Sequence, residues 1–168
     1  MAQTGTYEVA LNQGTYFLKL SGHLCFSSSV PFADIIDLIG STPECKGALV
    51  DLRGASMIDS THLGLLARLA LESQQKIGQQ LTIVSTGKHV PQALKTTGLQ
   101  HLALLLDAHE GEMPHTQSIQ ALPATKRSIA QVMLEAHQTL IGLNQENKST
   151  YQDFVTMLKS SMQKKGQL

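Results

Sequence analysis

Leu49–Leu66 reads LVDLRGASMIDSTHLGLL, and its two halves follow different periods. Gly47 to Gly54 is a short apolar run closed by glycine, which predicts a central, buried strand. From Ser60 to Ile77, Leu63, Leu66, Ala67, Ala70, Leu71 and Ile77 share one helical face, and Gly78 marks the stop. Between them a short loop leads into Asp59-Ser60-Thr61, the predicted start of that helix.

That junction has specific chemistry. The first N–H groups of a helix lack intrahelical partners, and the macrodipole is positive there. Asp59 or Ser60 can cap them, and a plain capping serine is worth about 1 kcal/mol. A phosphate on Ser60 would set about two negative charges where those donors point. The fold would accept the phosphate, whereas a partner packed on the same surface would meet a bulky dianion. Thr61 is the nearest rival acceptor.

Outward from this stretch, strands and helices alternate. Glu8–Leu11 and Tyr16–Leu20 read as two strands around a turn at Asn12-Gln13-Gly14, with Gly22 ending the pair. Phe32, Ile35, Ile36 and Ile39 mark a helix over Pro31–Ile39, with Ser27–Ser29 as capping serines and Gly40 as its close. Leu81–Val84 is a further strand, and Pro91–Thr97 a short helix with proline in its first turn. Leu102–Leu106 is too short for periodicity to choose between strand and buried helix. Residues 108–127 turn polar and proline-bearing, the composition of a linker. Two amphipathic helices follow. One carries the stripe Ile129, Val132, Met133, Ala136, Leu140 and Leu143; the other is headed by a capping-box pattern at Ser149-Thr150-Tyr151-Gln152. The expectation is an α/β fold, a mixed β-sheet covered by helices over 1–107, a linker over 108–127, and a C-terminal helical extension over 128–168. The stripe has to dock on the body, on a partner, or on a second copy as a homodimer.

Composition excludes several functions. Lys+Arg and Asp+Glu each number 13, so there is no cationic excess of the kind nucleic-acid binding draws on. No segment approaches the ~20 apolar residues that cross a bilayer, and Met1–Tyr7 lacks a signal-peptide pattern. Cys25 and Cys45 form neither a disulfide framework nor a metal spacing, which fits reduced thiols in a cytoplasmic protein without a metal. Gly54-Ala55-Ser56 begins like a nucleophile elbow, but Ile58 stands where its second glycine is needed. Neither a Walker A nor a GxGxxG pattern occurs, so no enzyme and no cofactor is expected.

Strand, short loop and Ile58-Asp59-Ser60-Thr61-His62-Leu63-Gly64 resemble the signature of STAS domains of the anti-sigma factor antagonist type. The opening hairpin, Gly22 before the first helix and the short Pro91 helix come in the matching order, so the likeness spans about Tyr7 to Leu106. The resemblance implies a protein that in its unmodified form captures an anti-sigma factor, often a serine kinase. Phosphorylation of the serine after the motif aspartate, here Ser60, ends capture, and a metal-dependent serine phosphatase restores it. It implies a partner-binding surface formed by Asp59, Ser60, Thr61 and His62 with His23 and Cys25 from the loop after Gly22. Relatives commonly have a small residue where His62 stands, which predicts a bulkier rim here, and many have an acid where this chain has Cys25. The helical tail resembles that of a subgroup found with response-regulator phosphatase/kinase partners in biofilm and motility control. Two other functions fit the same residues: an unphosphorylated STAS scaffold subunit of a sensory or lipid-transport complex, and a small-ligand or nucleotide sensor.

Overall fold

The computed structural model describes residues 4–109, 111, 117–118 (main chain) and 127–168. Most of the expected linker, 108–127, lies outside the described residues. The chain opens with a hairpin, β1 (Thr6–Asn12) and β2 (Thr15–Leu24), in antiparallel register from Thr6↔Ser21 to Asn12↔Thr15. There follow α1 (Ser29–Ser41), β3 (Gly47–Asp51), β4 (Ala55–Ile58), α2 (Ser60–Glu72), β5 (Leu81–Ser85), α3 (His89–Thr96), β6 (Ala103–Asp107) and β7 (Gln117–Ser118). Helices α4 (Ile129–Leu143) and α5 (Gln145–Lys164) end the chain. The sheet is mixed, ordered β6-β5-β3-β2-β1-β7, with β4 alongside β2 beyond the end of β3. Strands β3, β5 and β6 run parallel to β2, and β1 antiparallel to it.

Alternation along β2 puts Tyr16, Leu18, Leu20 and Leu24 on a buried face. Phe32, Ile35 and Ile36 of α1 and Leu65, Leu66 and Leu69 of α2 share one core with those residues, as do Val50 and Ile83. Leu102–Leu106, undecided in sequence, is strand β6 from Ala103.

Four local expectations are corrected. Gly22 does not end its strand: it sits at φ 79°, where the register of β2 against β4 shifts, and the strand continues to Leu24. A glycine with positive φ serves a bulge as well as a stop. The segment between β3 and α2 is not simply a loop, because Ala55–Ile58 pairs with the extended end of β2. The serines before α1 do not cap it. Ser28 and Ser29 turn their hydroxyls back to the carbonyls of Cys25 and Phe26. Ser149 and Thr150 lie inside α5, donating to the carbonyls of Gln145 and Glu146, while Asn144 is the cap. The capping box belongs to α4, where Ser128 and Gln131 bond reciprocally.

The tail docks on the body. Val132, Ala136 and Leu140 of α4 enter the sheet-and-helix core, so of the three places open to the stripe, these residues dock on the body. Helix α5 closes over α4 through Leu134, Val155 and Met162. At the start of α4, Arg127 reaches Asp37 of α1 at 2.9 Å, and Arg68 of α2 pairs with the same carboxylate. The closest approach falls at Gly64, where a Cβ would stand 2.8 Å from that of Ala136 and nearer still to the Ala136 carbonyl. Only a hydrogen fits there.

Gly64→Ala is therefore expected to destabilise by about 1–3 kcal/mol, the usual cost of overpacking, despite a helix-propensity gain of about 1 kcal/mol. Urea denaturation checks this. A variant as stable as the parent would mean that α4 does not approach α2 as described.

Candidate functional site at the start of the second helix

Two chain segments meet where α2 begins: the turn after β2, and the β4–α2 junction. They are held together by Asp59. With extended backbone angles (φ −94°, ψ 172°), Asp59 is the N-cap of α2, and its Oδ1 accepts the His62 main-chain N–H at 3.0 Å. Its Oδ2 accepts the N–H of Phe26 at 2.6 Å, and its own N–H donates to the Leu24 carbonyl at 3.0 Å. The His62 Nδ1 lies 3.0 Å from the same Oδ1. Burial works against ionisation of Asp59, but the bonds from the His62 side chain and main chain and from Phe26 outweigh it and hold its pKa below the usual carboxylate value. The carboxylate is thus an acceptor, and Nδ1 of His62 donates to it.

His62 does not stand on the rim. It is fully buried, in a near-parallel stack with Tyr7 and Phe32, and its Nε2 is 2.8 Å from the Tyr7 hydroxyl. The Tyr7 hydroxyl also donates to the carbonyl of Ser28 at 2.6 Å. Burial, offset in part by the hydrogen bond with Ser28, pushes the Tyr7 phenol up to about 12. The bulk expected at the surface is spent inside, tying α2 to β1 and the turn. Thr61 is buried as well, at 2% exposure.

Ser60 is half-buried at the first position of α2. The neighbouring end of β2 and its turn carry His23 and Cys25, both half-buried, and Phe26, 48% exposed, while β4 carries Met57, 53% exposed. The His23 Nε2 lies 2.8 Å from the Met57 sulfur, and the Cys25 thiol 3.1 Å from the Ser27 hydroxyl. The structure places His23 and Cys25, at and just beyond the end of β2, beside the β4–α2 junction that carries Asp59 and Ser60, and withdraws the side chains of Thr61 and His62.

Three contributors were missed. Met57 has no sequence signal because the β4 segment reads as loop, and Phe26 has none because its role comes from a main-chain N–H that any residue but proline carries. The third is His137 of α4. Its Nε2 lies 2.9 Å from the Ser60 hydroxyl, and its Nδ1 2.7 Å from the Met133 carbonyl. A carbonyl only accepts, so Nδ1 is protonated. Burial lowers the imidazole's pKa, countered in part by the bond to Met133 and by Asp59, so the ring is neutral and Nε2 accepts the Ser60 proton. Nothing local in the sequence pairs residues 77 apart.

The family model of the STAS domain matches residues 6–113. The chain belongs to the STAS domain family. The STAS fold is also that of an anti-sigma factor antagonist from Mycobacterium paratuberculosis, whose crystal structure aligns with a TM-score of 0.54 at 18% identity, covering 63% of this chain and 88% of that one. At this identity the likeness is one of fold. No curated protein matches the chain. Helices α4 and α5, with His137, lie beyond the STAS match. No helix among the described residues is long and apolar enough to cross a membrane.

Asp59→Ala strips partners from two main-chain N–H groups and a buried imidazole. It is expected to cost about 2–4 kcal/mol in urea denaturation near neutral pH. Because the folded-state pKa of Asp59 lies below its ordinary 3.8, its contribution is full above that value and is lost as pH falls through the lower, folded one. The difference between parent and variant should therefore shrink in acid; a gap independent of pH would exclude this role for the carboxylate.

Proposed function

We propose that this STAS protein is a regulatory binding module, an anti-sigma factor antagonist, and not an enzyme. In its unmodified form it captures an anti-sigma factor or serine kinase in the cytoplasm through the surface around Ser60. Phosphorylation of Ser60 releases that partner, and a metal-dependent serine phosphatase resets the cycle. The observation that carries this reading is the setting of Ser60. Ser60 is half-buried at an electropositive helix start, directly after Asp59, which binds the N–H of exposed Phe26, and three residues after exposed Met57. Apolar side chains of this kind supply the desolvated contacts on which binding energy concentrates. A dianion added among them cannot be buried against a partner without a large desolvation cost. The STAS family match and the fold shared with the mycobacterial antagonist support the same reading. The zero formal charge gives no support to a nucleic-acid partner.

Phosphate-affinity gels with the cognate kinase test the switch. The parent should gain one phosphate, and Ser60→Ala none. Ser60→Asp should weaken capture of the partner by roughly tenfold or more, as expected of a charge placed in a packed interface. Equal modification of Ser60→Ala, or unchanged capture by Ser60→Asp, would overturn the reading.

A further inference from the structure

Among the described residues, the Ser60 hydroxyl is bonded to His137 of the C-terminal helix α4. His137, the acceptor, is 3% exposed and fixed on every side. Met133 holds its Nδ1 from within α4, the rings of Tyr151 and Phe154 in α5 lie 5.4 and 4.6 Å from its centroid, and Asp59 is the charge that acts on it from the start of α2. The imidazole therefore has little room to swing aside while α4 and α5 stay docked.

We infer that His137 reads the chemical state of Ser60, and that phosphorylation of Ser60 releases helices α4 and α5 from the body. This rests on reading Ser60 as the modified residue. An esterified Oγ has no proton to give, so the donor that Nε2 accepts from is lost. In its place stands a dianion that needs donors, facing a ring nitrogen that is itself an acceptor. The conflict is resolved in one of two ways: the buried ring takes up a proton and pairs with the phosphate, or the helix moves off and water solvates both groups. Burial opposes the first. The second is eased by the architecture, because Gly64 and Ala136 meet at a close contact that, like other packed interfaces, is either seated or open. In the unmodified chain the docked pair covers one side of the Ser60 surface; in the modified chain the apolar faces of α4, with Val132, Ala136 and Leu140, become available.

The test needs neither the kinase nor the partner, so its outcome is independent of whether those assignments hold. The full-length chain is made with phosphoserine installed at position 60 by genetic-code expansion, and amide hydrogen exchange is followed by mass spectrometry. Exchange across 129–164 should speed up by roughly tenfold or more relative to the unmodified chain, while β3 and β5 stay protected. In a His137→Ala background the phosphoserine should accelerate exchange in α4 far less, because the opposing acceptor is gone. Ser60→Ala, which removes the hydrogen bond without adding charge, should leave α4 nearly as protected as in the parent. Protection in α4 that is unchanged or increased by phosphoserine, or an acceleration equally large without the imidazole, overturns the inference.

Discussion

The carboxylate of Asp59 gathers donors from two separate pieces of chain: the Phe26 N–H beyond β2, and the main-chain N–H and imidazole of His62 one turn into α2. Each bond is charge-assisted, and together they close the ends of the helix and the turn against one another. The main-chain position of Ser60 follows, because it is the first helical residue after that fixed cap. The buried stack of Tyr7, Phe32 and His62 continues the constraint inward to β1 and α1. A partly exposed hydroxyl can serve as a signalling group only if its surroundings do not drift, and this polar knot beneath it supplies that rigidity.

Next to the knot lies the contact between α2 and α4. Gly64 and Ala136 allow α4 to lie close along α2, and the same approach brings His137 to the Ser60 hydroxyl. The tail is therefore more than an appendage that stabilises the fold. It covers part of the surface where the proposed partner would bind, and it does so through the very atom that modification would change. Under the proposed function, kinase, partner and tail would compete for one hydroxyl group, and the chemistry of that group would decide which of them is seated.

Much of this was legible in the chain itself. The apolar run to Leu52 and the helical face from Leu63 announced the central strand and its helix, and Asp59-Ser60 announced the capped junction between them. Local rules suffice there because the signal and the structure share the same few residues. The failures have a common cause in tertiary context. Gly22 carries a positive φ for a bulge that exists only because β4 pairs beyond β3. His62 looked like a surface residue because polarity gives no warning that Tyr7 and Asp59 will satisfy both ring nitrogens inside the core. Ser149 fitted a capping pattern, yet Asn144 had already started the helix. His137 had no sequence signal at all, since its role arises from a contact between helices far apart in the chain.

The state of the His137 ring is the most direct measure of this account. Nitrogen-15 correlation spectra of the full-length chain near neutral pH distinguish which ring nitrogen holds the proton. A neutral ring protonated on Nδ1, with an Nε2 resonance that shifts when Ser60 is replaced by alanine, is the expected result. A ring protonated on Nε2, or an Nε2 resonance indifferent to Ser60→Ala, would contradict it.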